Sequence, residues 1–176
     1  IHDNIYTPPH VYDSHEVTNI EEVMKMKMSE KIKHKPYYII DFYSRLSLSF
    51  YIVFLKKFQK KTIQEEYAKV IFKKILEGIK FCHNNNICHL DIKLNNILFD
   101  KEYNPIIIDF GLSEIMNDSN KGFFKGKKGA TIYRCPEMFK ENETYNGIKA
   151  DIFSLGVVLF NIVTGGFGLH AAIESD

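Results

Sequence analysis

The run His89-Leu90-Asp91-Ile92-Lys93-Leu94-Asn95-Asn96-Ile97-Leu98, followed eleven residues later by Asp109-Phe110-Gly111, constrains this chain more than any other stretch. It sets a carboxylate, an amine, a carboxamide and a second carboxylate on two neighbouring loops. Such a set can hold a metal-bound nucleotide and take a proton from a hydroxyl. Phosphoryl transfer asks a protein mainly to position groups and neutralise charge, because the moving group needs little covalent help. A carboxylate such as Asp91 can orient an attacking hydroxyl and accept its proton. Lys93 can hold charge against phosphoryl oxygens, and the oxygens of Asn96 and Asp109 are hard ligands suited to Mg²⁺. Taken singly, either motif could equally be a polar turn between two apolar runs.

Two further motifs follow in order, Cys135-Pro136-Glu137 and Asp151-Ile152-Phe153-Ser154-Leu155-Gly156. With all four present in sequence, residues from about 63 to about 165 closely resemble the eukaryotic protein kinases. The first two motifs resemble that family's catalytic loop and Asp-Phe-Gly motif. The third resembles the close of its activation segment, and the fourth the start of its central buried helix. The resemblance implies an α+β, partial two-lobed kinase fold, with a remnant of the small β lobe and a mainly helical large lobe ending after that helix. It implies Asp91 as catalytic base, Lys93 as phosphate clamp, Asn96 and Asp109 as ligands for Mg²⁺ with ATP, and Leu98 against the adenine. His89, Phe110, Gly111, Glu137 and Asp151 take structural roles, Asp151 by holding the catalytic-loop backbone. Lys93 at its offset resembles the serine/threonine branch, which implies transfer of the ATP γ-phosphate to Ser or Thr of a protein substrate. The alternative is a catalytically inactive relative, or a kinase fragment, acting as a binding or scaffold module.

Composition narrows the remaining classes. A chain of 176 residues with 45% hydrophobic content can bury a sizeable core. A net charge of +1 argues against nucleic-acid binding by bulk electrostatics. Residues 1–24 hold five acids and no Lys or Arg, which leaves +6 on the rest. The three cysteines are odd in number and irregularly spaced, so a reducing compartment, the cytoplasm or nucleus, is expected rather than a disulfide framework. Cys82-His83 and Cys88-His89 lack the tighter spacing usual in structural zinc sites. No signal peptide is visible, and the apolar stretch Ile152 to Val163 is too short for a membrane segment.

Residues 1–24 read as an irregular segment, 25–55 as a partial small lobe and 56–176 as a partial large lobe. The first glycine is Gly78 and the first lysine Lys25, so no Gly-rich phosphate loop precedes the catalytic loop. Val23 to Met28 fits the end of a helix better than a strand, since Met and Lys favour helices. By resemblance the ion-pairing glutamate of that helix falls near Lys25. Tyr37–Arg45 and Ser49–Leu55 are rich in aromatic and β-branched residues and are expected as two strands, turning between Ser44 and Ser49. The hinge then follows Phe54, with only eight residues, Leu55 to Thr62, before the next helix. Thr62-Ile63-Gln64-Glu65 has the form of a capping box, and the helix it opens runs to about His83 on an apolar face of Ile63, Tyr67, Val70, Ile71, Ile75 and Ile79. Ile97–Phe99 and Ile106–Ile108 should form a hairpin turning at Lys101 to Asn104, which sets Asn96 and Asp109 at its open end. Asp151 is expected to cap the last helix, and Ile152 to Val163, apolar on nearly every side, to be fully buried.

Three departures from the family pattern bear on the activation segment, Asp109 to Glu137. Leu90 occupies the position of the arginine that normally receives an activating phosphate, and Lys125-Gly126-Lys127-Lys128 offers no hydroxyl to phosphorylate. Receiver and phosphate are missing together, as in a form independent of loop phosphorylation or in one that has drifted from the family pattern. Ala130 stands where the family generally carries a threonine touching the catalytic aspartate and lysine. The helices that would follow the central one, and the arginine in them that pairs with the Glu137 position, are not found before Asp176.

Overall fold

The computed structural model describes residues 46–140 and 143–166. The expected irregular segment, small-lobe helix and first strand lie outside the described residues, as does the tail beyond 166. The described part is a mixed structure of helices and short two-stranded sheets, consistent with a partial kinase fold.

Helix α1, Leu48–Phe54, continues into a π-helical turn, Leu55–Gln59, that ends at Lys60 in a left-handed conformation (φ 55°). This corrects the strand expected over Ser49–Leu55. Aromatic and β-branched content suggested a strand, but the decisive pattern is helical: Ser47 Oγ accepts from Phe50 N at 3.3 Å, and Leu48, Ile52 and Leu55 recur on one buried face. Phe50, Phe54 and Phe58 stack at i, i+4 along another face. Phe54 is therefore helical and cannot begin an extended hinge.

Helix α2, Glu65–Asn84, buries Ala68, Ile71, Ile75, Ile79 and Cys82. It starts two residues later than the capping box proposes: the cap is Gln64, without a side-chain bond, and Glu65 and Glu66 favour the positive end of the helix dipole. Ile63 is buried outside the helix, whereas Val70 is 51% exposed and leaves the apolar face. Asn86, with φ 61°, turns the chain into β1, Ile87–Cys88.

A 3₁₀ turn, Leu94–Asn96, leads to β2, Ile97–Phe99, which pairs antiparallel with β3, Pro105–Ile107, in the register Ile97 to Ile107 and Phe99 to Pro105. Asp100 shapes the turn by accepting from the amides of Glu102 and Asn104 at 2.9 and 2.7 Å. The expected hairpin is present, its second strand one residue earlier. Strand β4, Glu114–Ile115, returns to pair with β1, and β5, Phe123–Lys125, pairs with β6, Thr144–Asn146. Two 3₁₀ turns, Thr131–Tyr133 and Pro136–Phe139, lie between β5 and β6.

Helix α3, Gly147–Thr164, is capped by Asn146, whose Oδ1 accepts from Lys149 N at 3.0 Å. Asp151 is thus a turn inside the helix and does not cap it. The expectation of a fully buried helix is also corrected: Val158 and Ile162 are wholly buried, but Ile152 and Val163 are 58% and 59% exposed. Length and composition alone would let these 18 residues cross a membrane. Asp151, Ser154 and Asn161, all buried, instead bond within the protein, Ser154 Oγ donating to Tyr133 O at 2.7 Å.

Candidate active site

The loop from Cys88 to Leu94 runs between two hydrophobic clusters and feeds first one and then the other with every second residue. Cys88 and Leu90 pack with Phe124, Cys135 and Tyr145, while Ile92 and Leu94 pack with Ile97, Tyr133 and Leu155. The residues between them, His89, Asp91 and Lys93, are fixed by polar bonds.

His89 is fully buried against Phe110, with ring centroids 4.7 Å apart. Its Nε2 lies 3.1 Å from the carbonyl of Ile108, and its Nδ1 accepts from Asp91 N at 3.2 Å. Those partners require a neutral ring protonated on Nε2. Leu90 adopts φ 62° although it has a side chain, and the strain is offset by a buried anchor. Asp151 Oδ1 accepts from Leu90 N, and Oδ2 from His89 N, both at 2.8 Å. The same Oδ2 meets His83 Nε2 at 2.8 Å. His83, Cys88 and Asp151 bring ligand-type atoms within 4.8 Å of one another. Both carboxylate oxygens of Asp151 already accept from loop amides, so the group anchors the loop backbone, and burial followed by the charge of Asp151 pushes the Cys88 thiol up to about 12. His83 is a residue that the sequence reading considered only with Cys82 as a zinc pair.

Asp91 is 6% exposed. Its Oδ2 accepts from Lys93 Nζ at 2.7 Å and from Asn96 Nδ2 at 3.0 Å, and its Oδ1 from Ala130 N at 3.2 Å. Asn96 Nδ2 also donates to the Asp91 carbonyl at 2.9 Å. The loop therefore draws Asp91, Lys93 and Asn96 into one bonded unit, which the activation segment joins through a backbone amide. That amide was invisible to sequence reasoning, which noted only the hydroxyl missing from Ala130. Close approach of the segment also depends on Gly129, at φ 74°, where a Cβ would meet Leu90 O at 2.7 Å.

Asp109 follows β3 in a left-handed conformation, φ 65°, and is exposed. Its Oδ1 accepts from Gly111 N at 3.3 Å, and Ile108 N donates to Asn96 O at 2.9 Å, which ties the two ends of the hairpin together. Leu98 is half-buried, opposite Ile106 and bridged to Ser47. Ser113 Oγ donates to His89 O at 3.1 Å, a further support absent from the sequence reading. Glu137 lies in the 3₁₀ turn, where its own amide and the Cys135 thiol hold its carboxyl below the ordinary value. Among the described residues it forms no salt bridge.

A hairpin that links two polar loops, together with a helix aspartate that binds the loop amides, is consistent with a partial kinase fold. The chain belongs to the protein kinase domain family, whose sequence pattern matches residues 10–175. It is similar to serine/threonine protein kinase OSK3 of Oryza sativa subsp. indica, 37% identical over 107 residues, 61% of this chain and 20% of that protein. It is also similar to the SNF1-related protein kinase catalytic subunit alpha KIN12 of Arabidopsis thaliana, 36% identical over 129 residues, 73% of this chain and 24% of that one. A third relative is the probable serine/threonine-protein kinase MARK-B of Dictyostelium discoideum, 39% identical over 103 residues, 58% of this chain and 14% of the relative. The chain thus spans a quarter or less of the length of these relatives.

Proposed function

We propose that this protein is a serine/threonine protein kinase that transfers the γ-phosphate of ATP to hydroxyls of protein substrates. The observation that carries the reading is the Asp91 carboxylate, held at both oxygens by Lys93, Asn96 and the Ala130 amide. An acid so restrained presents fixed lone pairs to an incoming hydroxyl, orients it and accepts its proton as the bond to phosphorus forms. Lys93, already beside Asp91, supplies positive charge where phosphoryl oxygens gather. Ser and Thr hydroxyls are the acceptors that Lys93 favours by its family position, and the names of the relatives agree with that class.

The residues present fit Mg²⁺. Asn96 commits its amide nitrogen to Asp91, which leaves Oδ1 to face a cation, and Asp109 is exposed with one oxygen bonded only to Gly111 N. Both are neutral or anionic oxygens, the donor type that Mg²⁺ prefers. When bound, the ion would neutralise phosphate charge on the nucleotide. Leu98, beside these ligands in sequence, is the apolar contact proposed for the adenine. The alternative, an inactive binding module, draws partly on Ala130, which meets Asp91 through its backbone amide alone.

The experiment is incubation of the chain with ATP, Mg²⁺ and peptides that differ only in carrying Ser, Thr or Tyr. Phosphate on Ser or Thr is expected. Phosphate on Tyr alone, or none on any peptide, would overturn the proposal.

A further inference from the structure

Within residues 109–137 the described structure holds one ion pair with both ends in the segment, Lys128 with Glu114. Lys128 Nζ also donates to Leu112 O at 3.3 Å. Glu114 is on β4, which pairs with β1 at the entrance to the catalytic loop. Beyond Lys128 the chain passes at once to the site: Gly129 presses on the Leu90 carbonyl, and Ala130 N donates to Asp91 Oδ1. Arg134 fixes the same stretch from the other side, Nε donating to Lys128 O at 3.1 Å and Nη2 to Gly129 O at 2.7 Å. The lysine side chains are therefore not equivalent. Lys121, Lys125 and Lys127 are exposed, whereas Lys128 is only 23% exposed and bonded twice.

We infer that Lys128 and Glu114 are positioning residues that brace the activation segment against the catalytic loop without a phosphate. The position that would receive a phosphate is a buried leucine, Leu90, so an anion on the loop would find no guanidinium there. The charge pair supplies the same kind of link between fixed side chains: it ties the start of the segment to the residue preceding Gly129 and Ala130. Its effect on chemistry passes through the Ala130 amide to Asp91. This rests on the kinase reading for its effect on rate, but its effect on structure does not.

The test compares Lys128→Met, Glu114→Gln, the charge-exchanged double variant Glu114→Lys with Lys128→Glu, and the conservative Lys128→Arg. Two properties are read: phosphoryl transfer, and hydrogen exchange at the Ala130 amide. Each neutralising variant is expected to lower kcat about fivefold, with the nucleotide KM unchanged, and to speed exchange at Ala130 by a similar factor. Lys128→Arg and the exchanged pair should restore both properties to within about twofold. Wild-type rate should be unaffected by phosphatase treatment. If the chain transfers no phosphate, the kinase reading fails while the exchange measurement still decides the brace. Wild-type exchange in both neutralising variants, no recovery in the exchanged pair, or loss of activity on phosphatase treatment would overturn it.

Discussion

Asp151 shows how much one side chain can carry. Its carboxylate serves two loop amides and one imidazole from a position with no solvent exposure. Removing it leaves buried donors unpaired beside a leucine held at positive φ, so Asp151→Ala should cost about 3 to 5 kcal/mol in urea unfolding. The buried thiols give a second prediction at this scale. Burial pushes Cys88 up to about 12 and Cys135 up to about 11, from an ordinary 9.0. Above pH 9 the unfolded chain loses these protons before the folded one, so stability should fall as pH rises from about 9 toward 11 or 12. A denaturant midpoint that stays flat over that window would contradict it. Alkylation of both thiols at neutral pH should likewise be slow until the chain is unfolded. The polar residues of the catalytic loop were legible because their spacing is dictated by chemistry. The Ala130 amide and the Ser113 hydroxyl were not, because a backbone donor or an isolated serine leaves no mark in a one-dimensional pattern.

At the scale of elements, the hairpin and α2 were readable from apolar runs with clear breaks. Helix α1 was misread because its seven residues, Leu-Ser-Phe-Tyr-Ile-Val-Phe, have strand propensity, and burial of Leu48 and Ile52 together with the Ser47 cap overrides it. Ser47→Ala should therefore cost about 1 kcal/mol, measured as a lower unfolding midpoint; no change would argue against the cap. Helix α3 misled for a different reason, since an apolar composition on all sides says nothing about which sides find partners. Its start is more tightly specified than its middle. A Cβ on Gly147 would meet Phe124 at 2.6 Å and Cys88 Sγ at 2.7 Å, whereas one on Gly156 meets nothing within 4 Å. Gly147→Ala should destabilise by about 1 to 3 kcal/mol, and Gly156→Ala should stabilise slightly by helix propensity. Equal effects at the two sites would contradict this packing.

Across the described residues, the geometry of the candidate site follows from core packing. Alternate loop residues enter two clusters, and α3 contributes to both, with Ala150 in one and Leu155, Val157 and Val158 in the other. What remains between the clusters is the polar unit of Asp91, Lys93 and Asn96, joined by the activation segment. The measurement that tests this most directly is γ-phosphate transfer to a serine peptide by the chain and by Asp91→Asn, at matched concentration and after both show the same thermal unfolding. Transfer by the wild type with a loss of about 10²- to 10⁴-fold in the variant is the predicted result. Equal rates in the two proteins would remove Asp91 from the chemistry and contradict the account.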